Sequence, residues 1–480
     1  MAEELFTVRL MVDRSCNRVV FAESDGRFVD ILMSFLTYPL ATILRLTGNQ
    51  VPFGSMNKLY ESVASVDSRC LCSEACRSML LDPIYLAAEE CSRLPINIDE
   101  KHDLCCYICS DPDCDAEYLS FYANAQCSCG SSMAKKVRFS QSRGSTVKSE
   151  AGVFVVSSLG FMISDDLVVS QHSLVEICSL FARLGIEQGR NLEAMDVNLT
   201  ADVITELLKR ILVSDSPLTD VFLGEPKEKG KLMPLKNHST HQIQARTSRT
   251  KPFSVKLMLN ENGKKLVFAE ADDEFVNLLV SYLTYPMGLV EKKLEGRSGI
   301  RCFDNLYRSI IESLASADCF KGVDLMNLLL NPELPRHLIL EKNLLGFSLQ
   351  RKEKFYICRT YDCDSDQVST IGNAKCKGCK QISNRRLWAV NGSDGFMAQG
   401  RYMVRDDLVV KPLSSVMIVR DFLRQAHGGV QVMSVEIGQE EFAINVARSF
   451  QALALLRASV TSTQVLTDAL MVGDNEIKSL

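Results

Sequence analysis

Apolar and polar residues alternate from Phe6 to Val12, and a period of two predicts a half-buried strand. Asp13 to Asn17 supplies turn chemistry, and Arg18 to Ala22 is rich in β-branched residues, so the pair reads as a hairpin. From Phe28 the pattern becomes helical, and Pro39 must kink or end that run because proline lacks a backbone N–H. Helical spacing returns over Asn57 to Val66, Ser173 to Leu184 and Ala201 to Leu212, with short β segments around Cys105 to Cys109 and Gly152 to Val156. This order predicts an α+β fold, a mixed or antiparallel sheet covered by helices. The strict β-α-β alternation of a nucleotide-binding sheet is missing, as are a P-loop and a Gly-x-Gly-x-x-Gly turn.

The same pattern is written twice. Val19-Val20-Phe21-Ala22-Glu23 returns 247 positions later as Leu266-Val267-Phe268-Ala269-Glu270. Ser34-Phe35-Leu36-Thr37-Tyr38-Pro39-Leu40 returns at the same shift as Ser281-Tyr282-Leu283-Thr284-Tyr285-Pro286-Met287. The second hairpin turn is Asn260-Glu261-Asn262-Gly263, and Asp304 to Ala317 matches the helix at Asn57. Asp165-Asp166-Leu167-Val168-Val169 recurs as Asp406-Asp407-Leu408-Val409-Val410, and Leu218-Thr219-Asp220 as Leu466-Thr467-Asp468. Two tandem copies are therefore expected, over residues 5–223 and 253–480. Between them, 224–252 has no aromatic residue and carries seven bases against two acids. A stretch of that kind reads as a solvated flexible linker, with a basic docking or localisation signal as the alternative.

Composition narrows the class. With 46% hydrophobic and 24% charged residues the chain reads as folded, and 480 residues suit more than one core. The net charge of −5 offers no electrostatic reason to expect a nucleic-acid partner. The N-terminal residues lack the basic and apolar regions of a secretory signal. The longest uncharged runs, Ile31 to Leu44 and Phe275 to Val290, each contain a proline and fall short of the about 20 residues a membrane span needs. A cytoplasmic or nuclear protein is expected, in which the 18 cysteines stay reduced.

The sharpest chemistry lies in the cysteines. Cys358-x4-Cys363 is followed after twelve residues by Cys376-x2-Cys379, and Cys109-x4-Cys114 after the same twelve by Cys127-x-Cys129. Thiol pairs at the two ends of a short loop suit a tetrahedral zinc ion, each pair forming one edge. Gly378 permits the turn between Cys376 and Cys379. Four thiolates around Zn²⁺ leave a charge near −2, which Lys375, Lys377, Lys380, Arg385 and Arg386, or Lys135 and Lys136, are placed to offset. The reading is one structural zinc per copy, in a zinc-ribbon-like loop with no open coordination position. Cys127 and Cys129 lack one spacer residue, and Cys105 and Cys106 are alternative ligands there. Separate reduced thiols are the plainer alternative.

Other candidates fare worse when the copies are compared. Asp165-Asp166 and Asp406-Asp407 recur, either as acid–base groups or as turn residues leading into strands. Asp30 becomes Asn277, so a shared carboxylate pair with Glu23 fails, and no histidine among His102, His172, His337 and His427 has a partner at the matching position. Tyr38-Pro39 and Tyr285-Pro286 read as core packing, and Cys70-x-Cys72-x3-Cys76, present once, as incidental.

The Val-Val-Phe-Ala-Glu, Leu-Thr-Tyr-Pro-Leu, Asn-Lys-Leu-Tyr-Glu-Ser, Tyr-Ile-Cys and Pro-Leu-Thr-Asp-Val-Phe-Leu segments resemble a plant family known as domain of unknown function 674. The resemblance covers nearly the whole chain outside the linker and implies tandem or single copies of this unit, without an activity. The expectation is a non-enzymatic scaffold that presents a surface to a protein partner. The runner-up is an enzyme with a site between the copies, using Asp165 or Asp406.

Overall fold

The structure is a computed structural model. It describes residues 6–99, 105–139 without 112, 115 and 116, 152–186, 191–224, 253–340 without 261, 264, 316 and 317, 344–347, 354–358, 367–369, 375–389 without 377 and 384, 395–414, 430–437 and 445–471. The linker read over 224–252 lies outside these residues apart from Gly224.

The first half contributes strands β1 (Thr7–Asp13), β2 (Arg18–Ser24), β3 (Cys105–Ile108), β4 (Tyr118–Ser120), β5 (Ala125–Gln126), β6 (Ser132–Met133), β7 (Lys135–Phe139), β8 (Phe161–Ser164), β9 (Val169–Gln171) and β10 (Leu192–Asn198). The second contributes β11 (Phe253–Asn260), β12 (Leu266–Asp272), β13 (Lys354–Ile357), β14 (Gln367–Ser369), β15 (Arg385–Ala389), β16 (Arg401–Val404), β17 (Val410–Pro412) and β18 (Val430–Ile437). Two five-stranded antiparallel sheets result, ordered β10-β1-β2-β8-β9 and β18-β11-β12-β16-β17. The strand orders correspond position for position. The α+β reading therefore holds.

Local sequence explains the individual elements. Val8, Leu10 and Val12 of β1 turn inward while Thr7 and Arg9 face water, as a period of two requires. Asp25 caps helix Gly26–Ser34 by accepting from the Arg27 N–H. The helix tightens to a 3₁₀ turn at Phe35–Thr37, and Tyr38 becomes extended, the conformation favoured before proline. Pro39 then opens helix Leu40–Leu46. The segment at Gly152 to Val156 departs from expectation. It is a loop with one isolated bridge, Val155 to Phe320, because the N–H groups of Val153, Phe154 and Val155 go to a buried carboxylate and only the Val156 N–H reaches a backbone carbonyl, that of Cys319. The helix expected from Asp304 to Ala317 runs over Arg301–Ser309 and widens into a π-turn at Ile310–Leu314.

The two halves are interlocked. At the two Tyr-Pro sites the Leu40 N–H donates to the Tyr285 carbonyl and the Met287 N–H to the Tyr38 carbonyl, both at 3.0 Å. The recurrent Tyr-Pro pairs thus meet each other in the buried core, where Tyr38 and Tyr285 are 1% and 4% exposed. Helix Met56–Ser65 of the first half reaches β17 of the second, where Ser62 Oγ accepts from the Val410 N–H at 3.1 Å. Reciprocally, Ser309 Oγ accepts from the Val169 N–H of β9 at 2.9 Å. Gly54, with φ of +51°, lies so close to the other half that a Cβ would stand 2.5 Å from the Ser459 carbonyl oxygen.

A closed six-stranded barrel completes the interlock, in the order β13-β14-β7-β3-β4-β15. Each half supplies three antiparallel strands, and two parallel seams join them: β14 with β7, and β15 with β4. Cys106, Leu119 and Val137 from the first half meet Phe355, Val368 and Leu387 from the second inside it. Because this core is shared, heating should give one unfolding transition for both halves. Leu387→Ala should lower the stability of that single transition by roughly 2–5 kcal/mol. Two resolved calorimetric transitions, only one of them shifted by the substitution, would contradict the interlocked fold.

Buried Asp30 accepts backbone N–H bonds from Val153, Phe154 (2.8 Å) and Val155 (2.9 Å), while Asn277 Oδ1 accepts from Phe396 (2.8 Å) and Met397 (2.9 Å). Asp30 is thus a loop anchor, and Asn277 holds the corresponding loop of the second half with an amide oxygen. Burial raises the Asp30 carboxyl from the usual 3.8 to about 6, against the pull of the three N–H groups and Lys321. The folded state therefore holds this proton more tightly than the unfolded state, and stability falls as pH rises from about 4 to about 6. Asp30→Asn should remove that decline in denaturant titrations. Asp30→Ala, which orphans the three donors, should cost on the order of 3 kcal/mol at neutral pH.

Candidate metal centres

In the first half, β3 delivers Cys109 at its end. The Cys114 N–H donates to the Asp111 carbonyl (3.3 Å), turning the chain back so that the second thiol faces the first. The β5–β6 hairpin carries the other pair. Its turn is closed by the Cys127 N–H to the Ser131 carbonyl and the Gly130 N–H to the Cys127 carbonyl, both at 2.9 Å. Gly130 occupies the left-handed region with φ of +89°, directly after Cys129. The Ser110 N–H donates to the Ser132 carbonyl at 3.1 Å and ties the two loops together.

Four sulfurs converge as a result. Cys109 lies 3.5 Å from Cys129 and Cys114 lies 3.6 Å from Cys127, and all four lie within 4.8 Å of one another. A tetrahedral zinc with Zn–S bonds of about 2.3 Å has sulfur–sulfur edges of about 3.8 Å, so little movement separates this arrangement from a ligand shell. In the second half Cys358, Cys376 and Cys379 satisfy the same 4.8 Å limit, with Cys358 and Cys379 3.4 Å apart. Cys363, the fourth predicted ligand, lies outside the described residues.

The missing spacer in Cys127-Ser128-Cys129 does not keep that pair from the cluster. The first turn closes over five residues, Cys127 to Ser131. The second closes over six, with the Cys376 N–H donating to the Gln381 carbonyl at 2.8 Å. Positive φ falls after the second cysteine in both, on Gly130 and on Lys380 (+61°). Gly378 was the residue singled out for this turn, whereas the left-handed position that follows the cysteine pair is Lys380.

The thiols of the first group differ in acidity. Burial and its thiol neighbours push Cys109 up to about 12, whereas hydrogen bonding from Ser131 draws Cys129 down to about 6. Four adjacent thiols resist joint ionisation until a cation balances them, so metal uptake would release protons. Arg385 of the second half donates to the Cys114 carbonyl at 3.2 Å, placing a guanidinium beside the first half's cluster. Cys105 and Cys106 are not members of the group. Cys106 fills the barrel interior, and burial raises its thiol pKa. Cys70, Cys72 and Cys76 form no such group among the described residues, and the Cys72 thiol faces the Met397 carbonyl at 3.1 Å.

The recurrent aspartates are anchors. Asp165 accepts from the Thr219 N–H (2.9 Å), Thr219 Oγ1 (2.7 Å) and the Arg18 guanidinium (3.1 Å). Asp406 accepts from the Thr467 N–H (2.9 Å) and Thr467 Oγ1 (2.6 Å). Each ties the last helix of its own half among the described residues, Pro217–Phe222 or Val465–Leu470, to the sheet. Asp166 points the other way, to Arg301 of the second half at 3.2 Å, and both aspartates lie in the turn that follows β8. His337 is buried against Phe121 and Tyr122, and burial lowers its pKa to about 3. His172 faces Glu23 at 3.7 Å, and His102 and His427 lie outside the described residues.

Fold and site together define an α+β protein of two interlocked halves, with a clustered-cysteine group in each half that lies close enough to hold a metal ion. The family described as Protein of unknown function (DUF674) matches residues 2–440 and again 318–479, and the chain belongs to that family. No curated protein and no solved structure matches the chain. Among the described residues, no helix is long and apolar enough to cross a membrane.

The anchoring role of Asp165 carries a direct expectation. Asp165→Ala leaves Arg18 and the Thr219 donors without their buried partner, and should destabilise the chain by about 3 kcal/mol in chemical denaturation. Asp406→Ala, without an arginine partner among the described residues, should cost less. Equal and negligible effects would remove the anchoring account.

Proposed function

We propose that the chain is a non-enzymatic interaction module made of two copies of one unit, 5–223 and 253–480, joined by the basic linker 224–252. Each copy holds one structural zinc in a ribbon-like loop, through Cys109, Cys114, Cys127 and Cys129, and through Cys358, Cys363, Cys376 and Cys379. The observation that carries the proposal is the convergence of four sulfurs in the first cluster. A ligand shell of four thiolates leaves no position for substrate or water, so such an ion braces loops rather than performing catalysis. A reducing compartment, cytoplasmic or nuclear, suits these thiolates. The module's work would then be to present a surface to a protein partner.

The enzymatic reading loses support from the same geometry. Asp165 and Asp406 are engaged with helix N–H and threonine hydroxyl groups, and both oxygens of each carboxylate accept a bond. A cavity of about 340 Å³ between helix Met56–Ser65 and β17 has neither aspartate among its lining residues.

Elemental analysis of chelator-washed protein should give two zinc ions per chain. Cys109→Ser combined with Cys129→Ser should reduce this to one, and acidification should release metal as the thiolates take up protons. A folded chain free of metal at neutral pH sinks the zinc proposal.

A further inference from the structure

Charge is segregated onto the barrel. Its six strands carry Lys135, Lys136, Arg138, Lys354, Arg385 and Arg386 and no acid, in a chain with 54 basic and 59 acidic residues. Since Leu119, Phe355 and Leu387 point into the barrel, their strand neighbours point outward. Register then builds a specific surface on β4, β15 and β13. Trp388 stands beside Tyr118 on one side and Lys354 on the other, and one pleat further along Arg386 stands beside Tyr356. Adjacent strands lie about 4.8 Å apart, so rings and cations interleave at contact distance.

These side chains are accessible. Tyr118 is 41% exposed, Lys354 and Arg386 are exposed, and Tyr356 and Trp388 are half-buried. Neither Lys354 nor Arg386 forms an ion pair among the described residues. The ordinary account of such cations is a solvated strand face, or neutralisation of the thiolate groups. Neutralisation accounts for Arg385, which bonds the Cys114 carbonyl. It does not explain three large rings alternating with the other two cations, among them the only tryptophan of the chain. A basic–tyrosine pair recurs on the first half as Lys136 beside Tyr107, although Tyr107 packs partly against the main core. Asp111, Asp113 and Glu117 lie in the loop before Tyr118, so an anion would extend away from that end.

We propose that the β4–β15–β13 face binds single-stranded nucleic acid, its bases stacking on Tyr118, Trp388 and Tyr356 and its phosphates meeting Lys354 and Arg386. Paired bases hide their ring faces inside the duplex, so unpaired strands are favoured; sequence preference is weak because every base offers a π-face. The proposal rests on the reading of the chain as a binding module, and is independent of whether metal is bound.

The test uses the full chain with labelled twelve-residue oligo-dT and oligo-U, a duplex of equal length, and polyphosphate as a base-free competitor. Binding should quench Trp388 emission, which reports this face alone because no other tryptophan is present. Trp388→Ala should weaken binding about 5- to 100-fold, the range of one lost base stack, while Trp388→Phe retains most of it. Lys354→Glu with Arg386→Glu should weaken binding and flatten its salt dependence. Circular-dichroism melts and zinc content of each variant separate a lost surface from a lost fold. Comparison of the oligo-dT and oligo-U arms distinguishes DNA from RNA. No binding by either strand at low salt, unchanged binding by the folded variants, or equal competition by polyphosphate and by duplex overturns the proposal. Zinc-free protein that still binds oligonucleotide would fail the zinc reading alone.

Discussion

A three-stranded sheet has two unpaired edges, and neither half of this chain covers its own. The strands β4-β3-β7 and β15-β13-β14 each leave hydrogen-bonding groups open on both sides, and each set closes the other through two parallel seams. Closure removes every edge from the barrel and buries the apolar inner faces of both sets at once. Cys109 and Cys358 follow directly on barrel strands β3 and β13, so the geometry of each cysteine group depends on the barrel. Arg385 makes the dependence concrete, since the second half supplies a cation to the first half's cluster.

The same reciprocity organises the rest of the molecule. Ser62 and Ser309 each satisfy the N–H of a strand in the opposite half, and the two Tyr-Pro turns bond to one another. Buried polar side chains act as staples within this frame. Asp30 and Asn277 gather the N–H groups of corresponding loops, and Asp165 and Asp406 fasten corresponding helices. A residue that recurs because it anchors backbone tolerates an isosteric amide, as the change from Asp30 to Asn277 illustrates. A general acid or base tolerates no such change.

Charge tells a related story about averages. The net −5 describes the whole chain and conceals a barrel whose strands hold only bases. Electrostatic attraction acts over about a Debye length, so the local distribution, not the total, decides which ligands a face attracts.

Much of this was legible along the chain. The hairpins, the proline-broken helices and the helix at Ala201–Val213 follow from periodicity and turn chemistry, which are local. Cysteine spacing indicated which thiols would meet, because two short loops constrain them whatever the surroundings, and seven of the eight converge in the described residues. Three features could not be read in this way. The loop at Gly152 to Val156 looks like a strand until Asp30, over a hundred positions away, takes its N–H groups. The left-handed turn position at Lys380 carries no compositional signal. The seams of the barrel join Trp388 to Tyr118 and Gln367 to Arg138. Sequence by itself determined the repeated elements and the cysteine groups, since these arise from contacts within a few residues. Tertiary structure alone decided that each half completes the other and that rings and cations share one face, because strand pairing between distant segments depends on register and edge satisfaction, which leave no local pattern.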